Sequence, residues 1–379
     1  MGIWDLLSMI KVLFLIPTLD RGGAENVLVN LVNNMDYNKF DITVQTLFDQ
    51  DSQKYSLNKS IKYKSFLKKQ FRGNSKLLAL VPAKLLYKCI VKDEYDIVVS
   101  YLEGPTAHVL SGCPFIDTKR VAWIHVELKS DSSFSAGFSS KKKAIQAYSD
   151  YDRIVYVSQT VKTQFEKTSH CVYPQGLVLY NTVDSSAIKK HANDPIDDIE
   201  FDVNEINIIS VGRIIEAKGY DRLCHVHKKL IENGIKHHIY IIGVGPQRKE
   251  LEEYLYNNNI IDSFTFLGFR DNVYKYVAKA DLFVCCSRRE GFSTAVTESI
   301  IVGTPVLSTN CSGAYELLGE NNEYGVVTDN NVDSLYTGLY RLLTSPNLLS
   351  HYRNQAKIRA KMFSKEKTVT AVEDMLLNL

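Results

Sequence analysis

Short apolar runs alternate with longer stretches of helical period along this chain, and the alternation starts afresh after residue 190. In the first half the runs are KVLFLIP (11–17), FDITVQTL (40–47), YDIVVSYL (95–102), KRVAWIHV (119–126), DRIVYVS (152–158) and GLVLYN (176–181). In the second half they are INIISVG (206–212), HHIYIIGVG (237–245), SFTFLGF (263–269), DLFVCCS (281–287) and TPVLSTN (304–310). Runs apolar at nearly every position belong to strands covered on both faces, as in parallel sheets. The amphipathic segments between them, such as AENVLVNLVNNM and QRKELEEYLYNNN, supply the crossover helices. The polar stretch SSAIKKHANDPIDDIEFDVNE (185–205), with its proline and acidic cluster, reads as a linker. The expected organisation is a Rossmann-like domain over 1–185, a linker over 186–205 and a second Rossmann-like domain over 206–363. A final helical segment, 364–379, spaces Val369, Val372, Met375 and Leu376 on one face, and either ends the second domain or crosses back to the first. Two such α/β domains would set their parallel sheets facing a central cleft at the strands' carboxyl ends.

A length of 379 residues suits two cores better than one. No stretch reaches the roughly 20 apolar residues of a membrane-spanning helix. The first apolar run follows a polar start without a basic region or a small-residue cleavage site, so it reads as a buried strand rather than a signal peptide. Met9 directly precedes that strand and competes with Met1 as the native start. The seven cysteines show no C-x-x-C spacing and lie mostly beside apolar residues, which points to reduced core thiols in a cytoplasmic protein rather than disulfides or a metal site.

Charge is uneven. Residues 1–190 hold 25 Lys and Arg against 18 Asp and Glu, a balance of +7, and the remainder holds 20 against 25, a balance of −5. The segment 52–92 has eleven basic residues and no acidic one, interleaved with Phe66, Phe71, Leu77, Leu78, Leu80, Leu85, Leu86 and Tyr87. This pattern suits an anionic membrane surface, and equally a solvated basic helix pair. No nucleic-acid-binding module accompanies the charge, so nucleic acid is not expected as a partner.

Candidate chemistry clusters after the strands. In PTLDRGGAENVL, Gly22 and Gly23 bring backbone N–H groups to a helix start, where phosphate binds; an ordinary strand-to-helix turn has the same look. In SVGRIIEAKGYDRL, Arg213 and Lys218 follow a strand and can balance a diphosphate, unless they are merely surface cations. In SRREGFSTAVTESI, a helix starts near Ser293 or Thr294, with Glu290 in the loop before it and Glu298 in its second turn. Carboxylates beside an anion site make sense as acceptors for neutral hydroxyls, Glu290 from a sugar ring and Glu298 from a ribose. The plainer alternatives pair Glu290 with Arg288 or Arg289 and leave Glu298 to the helix dipole. His125 and Glu103 sit at strand ends of the first half, as candidate cleft residues or structural ones. GVGPQR (243–248) places Arg248 where a dinucleotide fingerprint needs its third glycine, which disfavours dehydrogenase chemistry. The DYD at 150–152 precedes its strand and reads as a cap of the strand start, not a metal site.

Taken together, REGFSTAVTESI resembles the E-x7-E signature of retaining glycosyltransferases of family 4, GRIIEAKG their Arg-x4-Lys-Gly element, and RGGAE their N-terminal glycine loop. SYLEG, WIH, VSQTVKTQF and YNTVD resemble segments of the bacterial surface-polysaccharide members, and the likeness is strongest over about 206–315. The resemblance implies a GT-B fold with the nucleotide-sugar held by the second domain. Arg213 and Lys218 would bind diphosphate, Glu290 sugar hydroxyls, the Phe292–Ser293–Thr294 backbone sugar and phosphate, and Glu298 the ribose. It also implies that His125 lies near the reacting sugar, that Gly22 and Gly23 close over the donor, and that Gly268 and Phe269 lie near the base; Glu103 is read as an acceptor-side group from its strand-end position alone. Neither a cofactor nor a metal is expected.

These readings converge on a retaining hexosyltransferase, cytoplasmic and peripheral on the inner face of the membrane. Its acceptor is expected to be a lipid-linked saccharide in capsule, O-antigen or exopolysaccharide synthesis. The alternatives are a transferase with a soluble or protein acceptor, and a nucleotide-sugar-binding protein without turnover.

Overall fold

A computed structural model describes residues 9–20, 22–49, 53–71 and 73–379, so the alternative start at Met1 and Arg21 of the glycine loop lie outside the described residues. The chain divides into two compact units, one of residues up to Thr182 together with Glu366–Leu379, the other of Val183–Lys365.

The first unit is built on strands β1 (Ile10–Ile16), β2 (Phe40–Phe48), β3 (Lys62–Leu67), β4 (Ile97–Ser100), β5 (Lys119–Ile124), β6 (Arg153–Tyr156) and β7 (Gly176–Val178). They pair in the order β3-β2-β1-β4-β5-β6-β7, parallel throughout. The second unit carries β8 (Ile206–Val211), β9 (His237–Ile242), β10 (Phe264–Gly268), β11 (Leu282–Cys285), β12 (Val306–Thr309) and β13 (Val326–Thr328). Their order, β10-β9-β8-β11-β12-β13, is again parallel throughout. Each unit therefore repeats one doubly wound plan. The chain runs outward from a central strand, returns, and runs outward the other way, leaving a switch point between β1 and β4 and another between β8 and β11.

The continuous apolar runs form these strands because both faces are covered. Val12 to Ile16 of β1 are buried without exception, as are Val98 and Val99 of β4 and Val121 to Ile124 of β5. In the second unit Ile208, Ile239, Ile241, Leu282, Val284 and Leu307 share one core with Leu223, Leu230, Leu335 and Leu339 of the flanking helices. Two strands lacked a clear sequence signal. The edge strand β3 reads KYKSFL, with charged residues on an edge that has one neighbour, and β13 is three residues long. The basic segment is thus not helical throughout, since the edge strand precedes its two α-helices.

The stretch expected as a linker is packed onto the second unit. Ser185–His191 is a helix capped by Asp184, whose Oδ1 accepts from the N–H groups of Ser186 and Ala187 at 3.1 and 3.0 Å. Downstream, Arg270 donates to Asp198 at 2.8 Å, Tyr276 Oη donates to the same carboxylate at 2.7 Å, and Asn272 donates to Asp194 at 2.8 Å. The acids that look like linker composition serve as acceptors that hold the segment down. Asp152 of DYD accepts from Arg120 N–H at 2.8 Å, joining the starts of β5 and β6. Not every thiol is a core thiol: Cys224, Cys285, Cys286 and Cys311 are buried, Cys113 and Cys171 are half-buried and Cys89 is exposed. No helix among the described residues is long and apolar enough to cross a membrane.

The final helix, Lys365–Leu377, buries Val369, Val372, Met375 and Leu376, and the Asp36 N–H donates to Glu373 Oε1 at 2.6 Å. Val372→Asp places a carboxylate in that seam and is expected to cost about 3 kcal/mol or more. The exposed Thr370→Asp should stay within about 0.5 kcal/mol of the parent. Urea unfolding of the two variants checks the contrast.

Candidate functional site

The second sheet's switch point lies between its two central strands, and the loops leaving both strands carry the residues singled out above. After β8 the chain makes a single 3₁₀ turn, Glu216–Lys218, and then Gly219 begins the helix Tyr220–Glu232. Gly219 has φ +70°, and a Cβ there would collide with the carbonyl oxygen of Cys286, at the end of β11. Only glycine lets the two loops approach so closely. Lys218 and Glu290, 72 residues apart in sequence, meet as a result.

Lys218 Nζ lies 2.6 Å from Glu290 Oε1, with the two side chains 25 % and 12 % exposed. The Ser287 hydroxyl donates to the same oxygen at 2.7 Å. Burial works to lower the Lys218 pKa, but the Glu290 carboxylate, together with the Cys285 and Cys311 thiols, outweighs it and holds the ammonium above its ordinary value. One carboxylate oxygen is thus saturated, and no hydrogen bond to Oε2 exists among the described residues. Lys218 keeps two further N–H donors. Glu290 pairs with neither Arg288 nor Arg289. Arg288 instead grips Asp221 through two bonds of 2.6 and 2.5 Å and donates to the Glu216 carbonyl at 2.8 Å. Its backbone N–H donates to Ala217 O at 2.8 Å, and Asn330 Nδ2 donates to its carbonyl at 3.2 Å. These bonds fasten the loop bearing Glu290 to the loop bearing Lys218. Arg213 stands exposed at the end of β8, with no ion pair among the described residues.

Past Glu290, Ser293 is the N-cap of the helix Thr294–Val302, its Oγ accepting from Val296 N–H at 3.4 Å. Phe292 is buried, so it offers the site backbone rather than ring. Glu298 is half-buried, and burial pushes its carboxyl up to about 7, with the Tyr274 hydroxyl pulling partly back. At the end of β10, Gly268 accepts from Gly243 N–H at 2.9 Å and Phe269 is exposed. Gly243, at φ +152°, could not carry a Cβ, which would run into the Gly212 carbonyl. The glycine pair of GVGPQR therefore serves close packing of loops, and Arg248 pairs with Glu252 at 2.7 Å.

In the first unit the expected residues lie at strand ends. Gly22 caps the helix Gly23–Val32, and the Glu25 carboxylate folds back against it. Glu103 Oε2 accepts from the His125 N–H at 2.9 Å, and burial pushes the Glu103 carboxyl up. The His125 ring is buried, and burial lowers its pKa to about 3, so the imidazole is neutral. Its ring packs against Tyr101 at 4.8 Å and Trp123 at 6.3 Å between centroids.

Residues 194–359 match the family described as Glycosyl transferases group 1, and the matched stretch contains both loops of the Lys218–Glu290 pair. Over that stretch, most of the second unit, the chain is similar to the group 1 glycosyl transferases. It is 34% identical over 192 residues, half of each chain, to the Campylobacter jejuni N-acetylgalactosamine-N,N'-diacetylbacillosaminyl-diphospho-undecaprenol 4-alpha-N-acetylgalactosaminyltransferase. With a second enzyme of that organism, the GalNAc-alpha-(1->4)-GalNAc-alpha-(1->3)-diNAcBac-PP-undecaprenol alpha-1,4-N-acetyl-D-galactosaminyltransferase, it shares 24% identity over 94% of this chain and 95% of the relative. Its fold matches the crystal structure of Anabaena HepE in complex with UDP, with a TM-score of 0.76 at 18% identity over 98% of this chain and 100% of that one. The fold is GT-B.

Three supporting residues of the site were not singled out from sequence: Ser287, Asp221 and Asn330. Ser287 stands three positions before Glu290 at the strand end, which is a usable signal. Asp221 and Asn330 carry none, because their partners are distant in sequence. Lys218→Met leaves Glu290 half-buried and unpaired, and should cost about 3 kcal/mol. Adding Glu290→Gln should return part of that loss, a coupling of about 1–3 kcal/mol in a urea double-mutant cycle.

Proposed function

We propose that this chain is a retaining, metal-independent hexosyltransferase that moves a sugar from a nucleotide-sugar to a lipid-linked saccharide acceptor in bacterial capsule, O-antigen or exopolysaccharide synthesis. The observation that carries the reading is the Lys218–Glu290 pair at the switch point of the unit that carries the family match. A lone carboxylate would repel a diphosphate at this position. With Lys218 against Oε1, the carboxylate is neutralised on the phosphate side and keeps Oε2 for sugar hydroxyls. The spare Lys218 donors and the unpaired Arg213 then face the diphosphate, whose charge grows as the glycosidic bond breaks. The Ser293-capped helix start contributes backbone N–H groups to the same anion.

We assign Glu298 to the ribose hydroxyls, Gly268 and Phe269 to the base, His125 to the reacting sugar, with Gly22 and Gly23 closing over the donor, and Glu103 to fixing the strand end that bears His125. A neutral imidazole there exchanges hydrogen bonds with hydroxyls without adding charge. Departure of the diphosphate from the same face that the acceptor attacks, with a leaving-phosphate oxygen taking the acceptor's proton, retains the anomeric configuration. The lipid-linked acceptor draws support from the names of the two Campylobacter relatives, both enzymes of undecaprenol-linked saccharides. The acid-free basic segment supports a cytoplasmic enzyme peripheral on an anionic inner membrane face.

A thermal-shift panel of UDP-, GDP-, ADP- and CMP-sugars tests the donor site, since a ligand of the native state raises the melting temperature. One nucleotide class should stabilise the protein, and Arg213→Ala should lose most of the shift. No shift with any class would sink the transferase reading, and an inverted product anomer by proton NMR would sink retention alone.

The ribose role makes a pH prediction. Ionised Glu298 is the better acceptor, so nucleotide-sugar affinity should rise as pH climbs to about 7, by up to about tenfold per unit, and Glu298→Gln should flatten the slope. The nucleotide-sugar diphosphate does not titrate there, so isothermal titration between pH 5.5 and 8, a window set about that carboxyl's value, isolates the carboxylate. The apo protein responds in the opposite sense. A carboxyl raised above its unfolded value adds stability that is full below about 4.5 and is lost as pH rises through about 7.

A further inference from the structure

Two short helices of the first unit, Asn74–Leu80 and Ala83–Ile90, turn apolar side chains outward as well as inward. Leu86, Tyr87 and Ile90 are buried, whereas Leu77, Leu80 and Leu85 are 54%, 76% and 52% exposed. Phe66, Leu67 and Phe71, just upstream, are exposed as well. The pair is firmly mounted. His108 Nε2 lies 3.0 Å from the Val81 carbonyl in the turn between the helices, and Gly112 admits the Ala83 backbone where any side chain would collide. Scattered exposed leucines need no explanation, but a fixed group of them marks a surface that something covers.

Two sets of lysines stand out in this region. Lys54, Lys62 and Lys64 hold carboxylate partners in Asp49, Asp41 and Asp93. Lys68, Lys69, Lys76, Lys84 and Lys88, the ones interspersed with the exposed apolar residues, are exposed and have no carboxylate partner among the described residues. Exposed apolar side chains interspersed along the chain with exposed lysines that lack carboxylate partners match a bilayer whose phosphates are anionic, with lysines at headgroup level and leucines beneath. A second copy of this chain would bring lysines against lysines. Nucleic acid would find aliphatic side chains where bases need aromatic ones to stack on.

We infer that the two helices form a wedge that inserts Leu77, Leu80 and Leu85 into an anionic bilayer while Lys76, Lys84 and Lys88 engage its headgroups. The inference rests on the membrane-borne acceptor proposed above and names the element that meets the membrane. The test is sedimentation with phosphatidylcholine vesicles, with and without phosphatidylglycerol, beside the nucleotide-sugar thermal shift. The parent should bind the phosphatidylglycerol vesicles. The triple change Leu77→Ser, Leu80→Ser, Leu85→Ser should weaken binding about tenfold or more, since each leucine forfeits apolar burial. The change Lys76→Gln, Lys84→Gln, Lys88→Gln should remove the preference for phosphatidylglycerol. Both variants should keep the parent's nucleotide-sugar shift, which shows that they fold and leaves the donor site judged separately. If the leucine variant binds as tightly as the parent, the wedge is wrong while membrane association stands. If the parent binds no vesicle, wedge and membrane association fall together and the donor site is untouched. If the parent is a dimer that the leucine variant dissociates, the patch is a subunit interface and the wedge is wrong.

Discussion

A single ion pair, Lys218 to Glu290, organises the second unit's site, and much of the neighbouring sequence exists to make it. Two charges of opposite sign, mostly withdrawn from water, attract strongly but lose hydration, so geometry and extra hydrogen bonds decide the balance. Here Ser287 adds a donor to the shared oxygen, and the Arg288–Asp221 fork with Asn330 keeps the two loops from parting. Gly219 removes the one Cβ that would push them apart. The pair therefore depends on residues whose own chemistry is not catalytic.

The sequence makes the fold legible because parallel strands covered on both faces leave long uninterrupted apolar runs, and those runs place β1, β2, β4, β5 and β8 to β12 close to where they lie. It fails where burial is one-sided or brief. KYKSFL hides β3 behind lysines that an edge position tolerates and even favours, as a guard against pairing with another chain. The 186–205 stretch misleads for a related reason. Proline and acids signal a linker by composition, but Asp194 and Asp198 are acceptors for side chains of residues 272, 270 and 276, which no local pattern announces.

The site shows the same division. Arg213, Lys218, Glu290 and Glu298 stand out because each follows a strand or opens a helix at a spacing with chemical sense. The partner of Glu290 does not stand out. Nearness in sequence favours Arg288 or Arg289, yet a strand-end loop reaches across to the next strand's loop more easily than back upon itself. In the first unit, the contact of Glu103 with the His125 backbone follows from β4 and β5 being neighbours, with Ser100 opposite Ala122. That juxtaposition can be anticipated only once strand order is known.

The last helix, Glu366 onward, belongs with the first unit although every residue of the second is translated before it. During synthesis the first unit must wait without the helix that supplies Glu373 to the Asp36 N–H, with the groove for Val369, Val372 and Met375 open. At elongation of about 5–20 residues per second that interval lasts roughly 10–40 s. Nascent first units are thus held in a sticky, unfinished state for longer than most small domains take to fold. Their exposure to chaperones is set by the length of the second unit rather than by any property of the first.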